Sequence, residues 1–156
     1  MKKDIFIDNN IASKFSNPMD PEYKKLIVWL MNSDIEESKR AYLVTSQKLL
    51  KEYLRSAMHA KSPTSIPVII AKLTIEKRII TVSNEQIRAF QNEYYTKTVI
   101  KKLTSNEEDR EHIPVVLLSE RKYALSYDQK FCNDLRTFPG FTVRVEKRPE
   151  DLPYAD

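Results

Sequence analysis

Short apolar, β-branched runs alternate along this chain with longer stretches whose apolar residues recur every three or four positions. Residues 5–7 (Ile-Phe-Ile), 41–45 (Ala-Tyr-Leu-Val-Thr), 123–127 and 142–145 predict strands, and residues 79–82 a brief extended segment. Pro21, preceded by the capping residue Asp20, opens a predicted helix in which Leu26, Ile27, Leu30 and Met31 hold helical spacing. Ser46 caps a second, with Leu49, Leu50, Tyr53, Leu54 and Ala57 as its apolar stripe and His59 near its end. Residues 65–78 predict a third, with Pro67 in its first turn. Ser83 and Gln86 form a capping box for a helix running toward Leu103, and Ser105 with Glu108 repeats that signature. A short helix through Asp134 follows the strand at 123–127. Strands separated by helices, rather than by two-residue turns, predict a mostly parallel sheet covered by helices. Residues 1–148 read as one domain without repeat or linker, and residues 149–156 as an irregular tail.

Composition narrows the chemistry. Gly140 is the only glycine among 156 residues, which removes the glycine-rich phosphate loops and the G-x-S-x-G nucleophile elbow. Cys132 is the only cysteine, so an intrachain disulfide and a cysteine-built metal site are excluded, and the residue reads as a small core side chain. The net charge of +4 permits a polyanionic partner without requiring one. No apolar run approaches the roughly 20 residues of a membrane span. After Lys2 and Lys3, the acid Asp4 stands where the apolar segment of a secretory signal would begin, so a cytoplasmic location is expected.

The informative residues are acids. Ligands of parallel α/β sheets bind beyond the carboxyl ends of the strands. Asp8 closes the first strand in "DIFIDNN" and Asp128 closes a later one in "YALSYDQKF". If those strands are parallel neighbours, the two carboxylates meet on one rim. Glu52 lies two turns into the helix after the second strand, and Asp109 lies in "SNEEDREHIP" ahead of the apolar "VVLL". Like charges gathered in one notch raise each other's pKa. A hard dication, Mg²⁺ or Mn²⁺, relieves the conflict, and its bound water is a nucleophile toward a phosphodiester.

Each residue also has a plainer reading. Asp8, Asn9 and Asn10 suit a turn, Asp128 suits a helix cap, Glu52 a solvated helix face, and Asp109 a charged helix start. His112 is either a neighbour of the metal or a packing residue. Tyr94 and Tyr95, with Lys97, Lys101 and Lys102, either stack on RNA or make an amphipathic helix with a wet basic side. Trp29 belongs to a core face. Residues 65–73 offer a homodimer surface or simply core.

The ordered set resembles the PIN domain family. "IFIDNNI" is similar to its opening strand and Asp-x-Asn, "TSQKLLKEYL" to its second acid position, "DREHIPVVLLSE" to the helix of its third acid, and "LSYDQKF" to its [ST]-x-D-x-x-F motif. The resemblance covers residues 4–131 in the family's order. It implies a three-layer α/β/α sandwich around a central parallel sheet, and Mg²⁺- or Mn²⁺-dependent cleavage of single-stranded RNA, often by the toxin of a toxin–antitoxin pair. Asp8, Glu52, Asp109 and Asp128 would then bind metal directly or through water, with Asn10 supporting Asp8. The third position stays open between Asp109 and His112, which stands two residues before Pro114. With His112 there, the chain would be a weak or inactive PIN-like module that binds RNA or a protein. A haloacid-dehalogenase phosphatase would carry a second Asp at position 10, where this chain has Asn10. A receiver domain orders its acids differently.

Overall fold

The computed structural model describes residues 1–57 and 61–156, and the helix end expected at His59 lies outside the described residues. The chain builds β1 (Lys3–Ile7), α1 (Asn9–Ala12), α2 (Pro21–Met31), β2 (Ala41–Ser46), α3 (Gln47–Ser56), α4 (Ile66–Ile75), β3 (Ile79–Val82), α5 (Asn84–Tyr94), α6 (Lys97–Lys102), α7 (Glu107–Arg110), α8 (Ile113–Leu117), β4 (Tyr123–Leu125), α9 (Gln129–Thr137) and β5 (Arg144–Glu146). The strands form one sheet in the order β3-β2-β1-β4-β5, and every pairing is parallel. This is the α/β architecture the alternating pattern predicts.

β1 sits at the centre of the sheet, and Ile5, Phe6 and Ile7 are fully buried, as a strand covered on both faces requires. Helix α4 packs on α2 and on α3, α5 packs on α8, and α2, α3 and α8 lean on β2. Ile66, Ile69 and Leu73 of α4 are taken into the core, and so are Trp29 and Cys132. The stripe expected on α3 is narrower than its spacing predicts: Leu49 and Tyr53 are buried, whereas Leu54 is exposed. Leu152 is buried and the Tyr154 ring lies 4.8 Å from that of Trp29, so the last residues pack against α2. No helix among the described residues is long and apolar enough to cross a membrane.

Several boundaries differ from the expected pattern. The helix expected over 65–78 stops at Ile75. There Lys77 turns left-handed (φ 59°), its amide donates to the Thr74 carbonyl, and the Arg78 amide reaches back 2.8 Å to Leu73. The helix expected from Ser83 to Leu103 is two helices. Tyr95 breaks it by donating its hydroxyl to the Arg110 carbonyl, and Thr96 caps α6. Ser105 caps nothing. Asn106 is the cap of α7, and the Ser105 amide donates instead to buried Asp134 at 2.8 Å. Tyr94 and Tyr95 join Phe90, Phe138 and Phe141 in an aromatic cluster, which is the packing reading of that pair. The strand expected over 123–127 ends at Leu125, and the last strand runs over 144–146 rather than 142–145.

Candidate functional site

The chain visits β1, β2 and β3 on one side of the sheet and then returns to β4 on the other flank of β1. The direction of winding therefore reverses between β1 and β4, and a crevice opens beyond their carboxyl ends. Phe6 is in register with Ala124 and Ile7 with Leu125, and the Asp8 amide donates to the Leu125 carbonyl at 2.9 Å. Asp8 thus leaves β1 level with Ser126, and Asp128 follows two residues later.

Local chemistry fixes Asp8. Its Oδ1 accepts the Asn9 amide at 2.8 Å, which caps α1. Its Oδ2 accepts the Ser126 hydroxyl at 2.6 Å and, more loosely, the Asn10 Nδ2 at 3.4 Å. Asn10 spans the two strand ends, because its Oδ1 accepts the Tyr127 amide at 3.1 Å. The Ser126 hydroxyl also accepts the Asp128 amide at 3.1 Å. These bonds draw residues 126–128 out of the strand and turn them toward Asp8. Asp128 caps α9 by accepting the Phe131 amide at 3.0 Å, so its plainer reading holds beside any other role.

Burial pushes the Asp8 carboxyl above its ordinary range, against the Ser126 hydrogen bond, the His112 charge and the Asn9 amide, while Glu52 adds to the rise. Asp109 is pushed up to about 6, first by burial and then by the Asp128 carboxylate, with which it is within hydrogen-bonding reach; Asp8 adds a smaller push. Asp8, Asp109 and Asp128 therefore share one electrostatic notch.

Glu52 and His112 form a pair whose charges reach Asp8. His112 Nε2 lies 2.8 Å from Glu52 Oε2, and the imidazole is buried against Phe6 and Phe131. Its Nδ1 is buried without a hydrogen-bond partner among the described residues. Burial works to raise the Glu52 carboxyl, but the His112 hydrogen bond and charge, with Lys48 and Arg55, outweigh it and hold the group below its ordinary range. At the tip of "DREHIP", then, Asp109 stands beside Asp128 and His112 stands on Glu52. Among the described residues no three His, Cys, Asp or Glu side chains are grouped so as to hold an ion directly.

Two open grooves are lined by chain neighbours of these residues: Glu52 and Glu108 in one, Tyr127 in the other. One, of about 350 Å³, runs past Glu52 between Lys48, Lys51 and Arg55 on one side and Glu108 and Glu111 on the other, with Lys48 paired to Glu111 at 3.1 Å. The other, of about 470 Å³, lies beyond Tyr127 and is walled by Lys14, Tyr23 and Arg148. Ser126 was not among the acids and supports that sequence reasoning singled out, although it opens the motif around Asp128. Its signal is its place one residue beyond an apolar strand.

No protein-family model matches this chain, and no curated protein matches it. Among solved structures, the chain is similar to VapBC2 from Rickettsia felis, crystallised bound to a DNA fragment from their promoter. The likeness covers 91% of this chain and 98% of that one at 15% identity, with a TM-score of 0.54. At that identity the likeness concerns the fold: a parallel α/β sandwich of the kind the PIN resemblance implies.

Proposed function

We propose that this chain is a dication-dependent ribonuclease of the PIN type that hydrolyses phosphodiesters of single-stranded RNA, and that it is the toxin half of a toxin–antitoxin pair. The reading rests above all on the apposition of Asp109 and Asp128 beside Asp8 at the β1/β4 crevice. Carboxylates that raise one another's pKa form a site that a cation relieves. The donor set is oxygen-only, which suits Mg²⁺ or Mn²⁺. These ions are often held by one or two carboxylates with the remaining positions left to water, so a three-ligand cage is not required. Asp109 and Asp128 would hold the ion, and Asp8 and Glu52 would reach it through water. When bound, the ion supplies an acidified water and offsets charge on the phosphate.

The chain's own groups supply the rest. Asp8, its two oxygens fixed by Ser126 and Asn9, orients the attacking water and takes its proton. Asn10 keeps the two strand ends at a constant spacing. Lys48, Lys51 and Arg55 attract the RNA backbone. The antitoxin partner is carried over from the VapBC2 neighbour.

Labelled single-stranded RNA incubated with Mn²⁺ should be cut, chelator should stop the reaction, and Asp8→Asn should lower the rate at least about 100-fold, the scale of a lost general base. Cleavage that ignores both chelator and the substitution would falsify the proposal. A second reading draws on one observation, the closed Glu52–His112 pair, which leaves the notch with three carboxylates. On that reading the domain binds RNA or a protein without cutting, and RNA binding with no turnover at any Mn²⁺ concentration would favour it.

A further inference from the structure

We infer that the groove beyond Tyr127 is a nucleotide subsite, which seats one base of the RNA against the Tyr127 ring and its phosphate on Lys14. The inference deepens the ribonuclease reading and takes its substrate class from it. Tyr127 lies between Ser126 and Asp128, and its amide is held by Asn10, so the ring projects from the same turn that carries the acids. Its hydroxyl is hydrogen bonded to that of buried Tyr23, which fixes the ring from behind. The half-buried ring forms part of a groove of about 470 Å³, within the range of small-ligand sites.

The cations on this groove differ in a telling way. Arg148 is committed: it holds Asp20 at 2.6 Å and Glu150 at 2.8 Å, and lies over the Tyr23 ring. Lys14 is exposed and has no carboxylate partner among the described residues. Its ammonium rests 4.8 Å from the centre of the Tyr127 ring. A cation parked on an aromatic face marks the electron-rich surface on which a base stacks. An arriving nucleotide replaces Lys14 on the ring and gives the freed ammonium a phosphate in exchange. The hydroxyl of Ser13 and the amide of Asn17 line the same groove and can meet a base edge.

The test is fluorescence anisotropy with labelled octauridylate and octaadenylate on the full chain, in chelator so that nothing is cut. Tyr127→Ala should weaken binding roughly 30-fold, the middle of the range for losing one stacked base. Tyr127→Phe, which keeps the face and loses the hydroxyl, should bind within about twofold of the unaltered chain. Lys14→Ala, a substitution at an exposed site, should weaken binding a few-fold and reduce the slope of log affinity against log salt by about 0.7, one contact to a single strand. The subsite is refuted if Tyr127→Ala binds as tightly as the unaltered chain. It is equally refuted if Tyr127→Phe loses as much as Tyr127→Ala, if Lys14→Ala leaves both affinity and salt slope unchanged, or if the unaltered chain binds neither oligonucleotide. Should Tyr127→Ala fail to fold, the Lys14→Ala salt slope decides. Cleavage by Asp8→Asn is read separately, so a subsite without a nuclease and a nuclease without this subsite give different results.

Discussion

A carboxyl held above its ordinary pKa in the folded chain opposes folding once the solution is basic enough to ionise it. Asp109 is in that position, raised from 3.8 to about 6 by burial and by Asp128 and Asp8. Between those two values the folded chain keeps a proton that the unfolded chain has released. The group's contribution therefore falls as pH rises through that window and stays unfavourable above about 6. Asp109→Asn removes the ionisable group and should raise Tm at about pH 7.5 by roughly 2–4 °C. That corresponds to about 1 kcal/mol after allowance for solvent screening. Below about pH 4, where Asp109 is protonated in both states, the substitution should have little effect. Melting curves across pH decide, and an equal change at both ends would show that the substitution acts through packing instead. In Mn²⁺ the neutral-pH gain should shrink, because the unaltered chain then gains from the ion.

Among the elements, Arg78 ties three pieces together where the carboxyl end of α2 and the entries to β2 and β3 meet. Its guanidinium is fully buried, donates to the Leu30 carbonyl at 2.8 Å and the Ala41 carbonyl at 3.0 Å, and pairs with Glu76 at 3.0 Å. Arg78→Met keeps much of the volume but strands those acceptors, and should cost about 3 kcal/mol in chemical denaturation. A cost below about 1 kcal/mol would mean that water reaches the carbonyls. Arg78 also shows what sequence could not reveal. Elements closed by neighbours within three residues were legible: Asp20 with Pro21 and Glu22, Ser46 with Leu49, Ser83 with Gln86. Boundaries set from afar were not. Ser105 answers to Asp134 and Tyr95 to Arg110. The end of α4 is local but lacks its usual marker, because a left-handed lysine closes it where glycine is the common choice. The site divides in the same way. The order of the acids pointed to one rim, and the sheet order carries Asp8 and Asp128 to neighbouring strand ends. The pairing of His112 with Glu52 across 60 positions, and of Ser126 with Asp8 across 118, required the fold.

At the scale of the whole molecule, a ligand that binds only the folded chain shifts the folding equilibrium. If Asp109 and Asp128 hold Mn²⁺, the ion at a hundred times its dissociation constant should stabilise the chain by about 2.7 kcal/mol. For a chain of this length that is a rise in Tm of roughly 5–10 °C. Asp128→Asn should abolish the rise, and chelator should reverse it in the unaltered chain. An equal rise in the substituted chain would place the ion elsewhere, whatever the cleavage assay shows. The central position of β1 has a consequence of a different kind. Its two flanking partners are synthesised about eighty residues apart, and the serine that clasps Asp8 emerges from the ribosome only 118 residues after it. At ordinary elongation rates that leaves the nascent chain for roughly 6–24 s with its opening acid unaccompanied. A polypeptide released early, before β4 is made, has no notch at all.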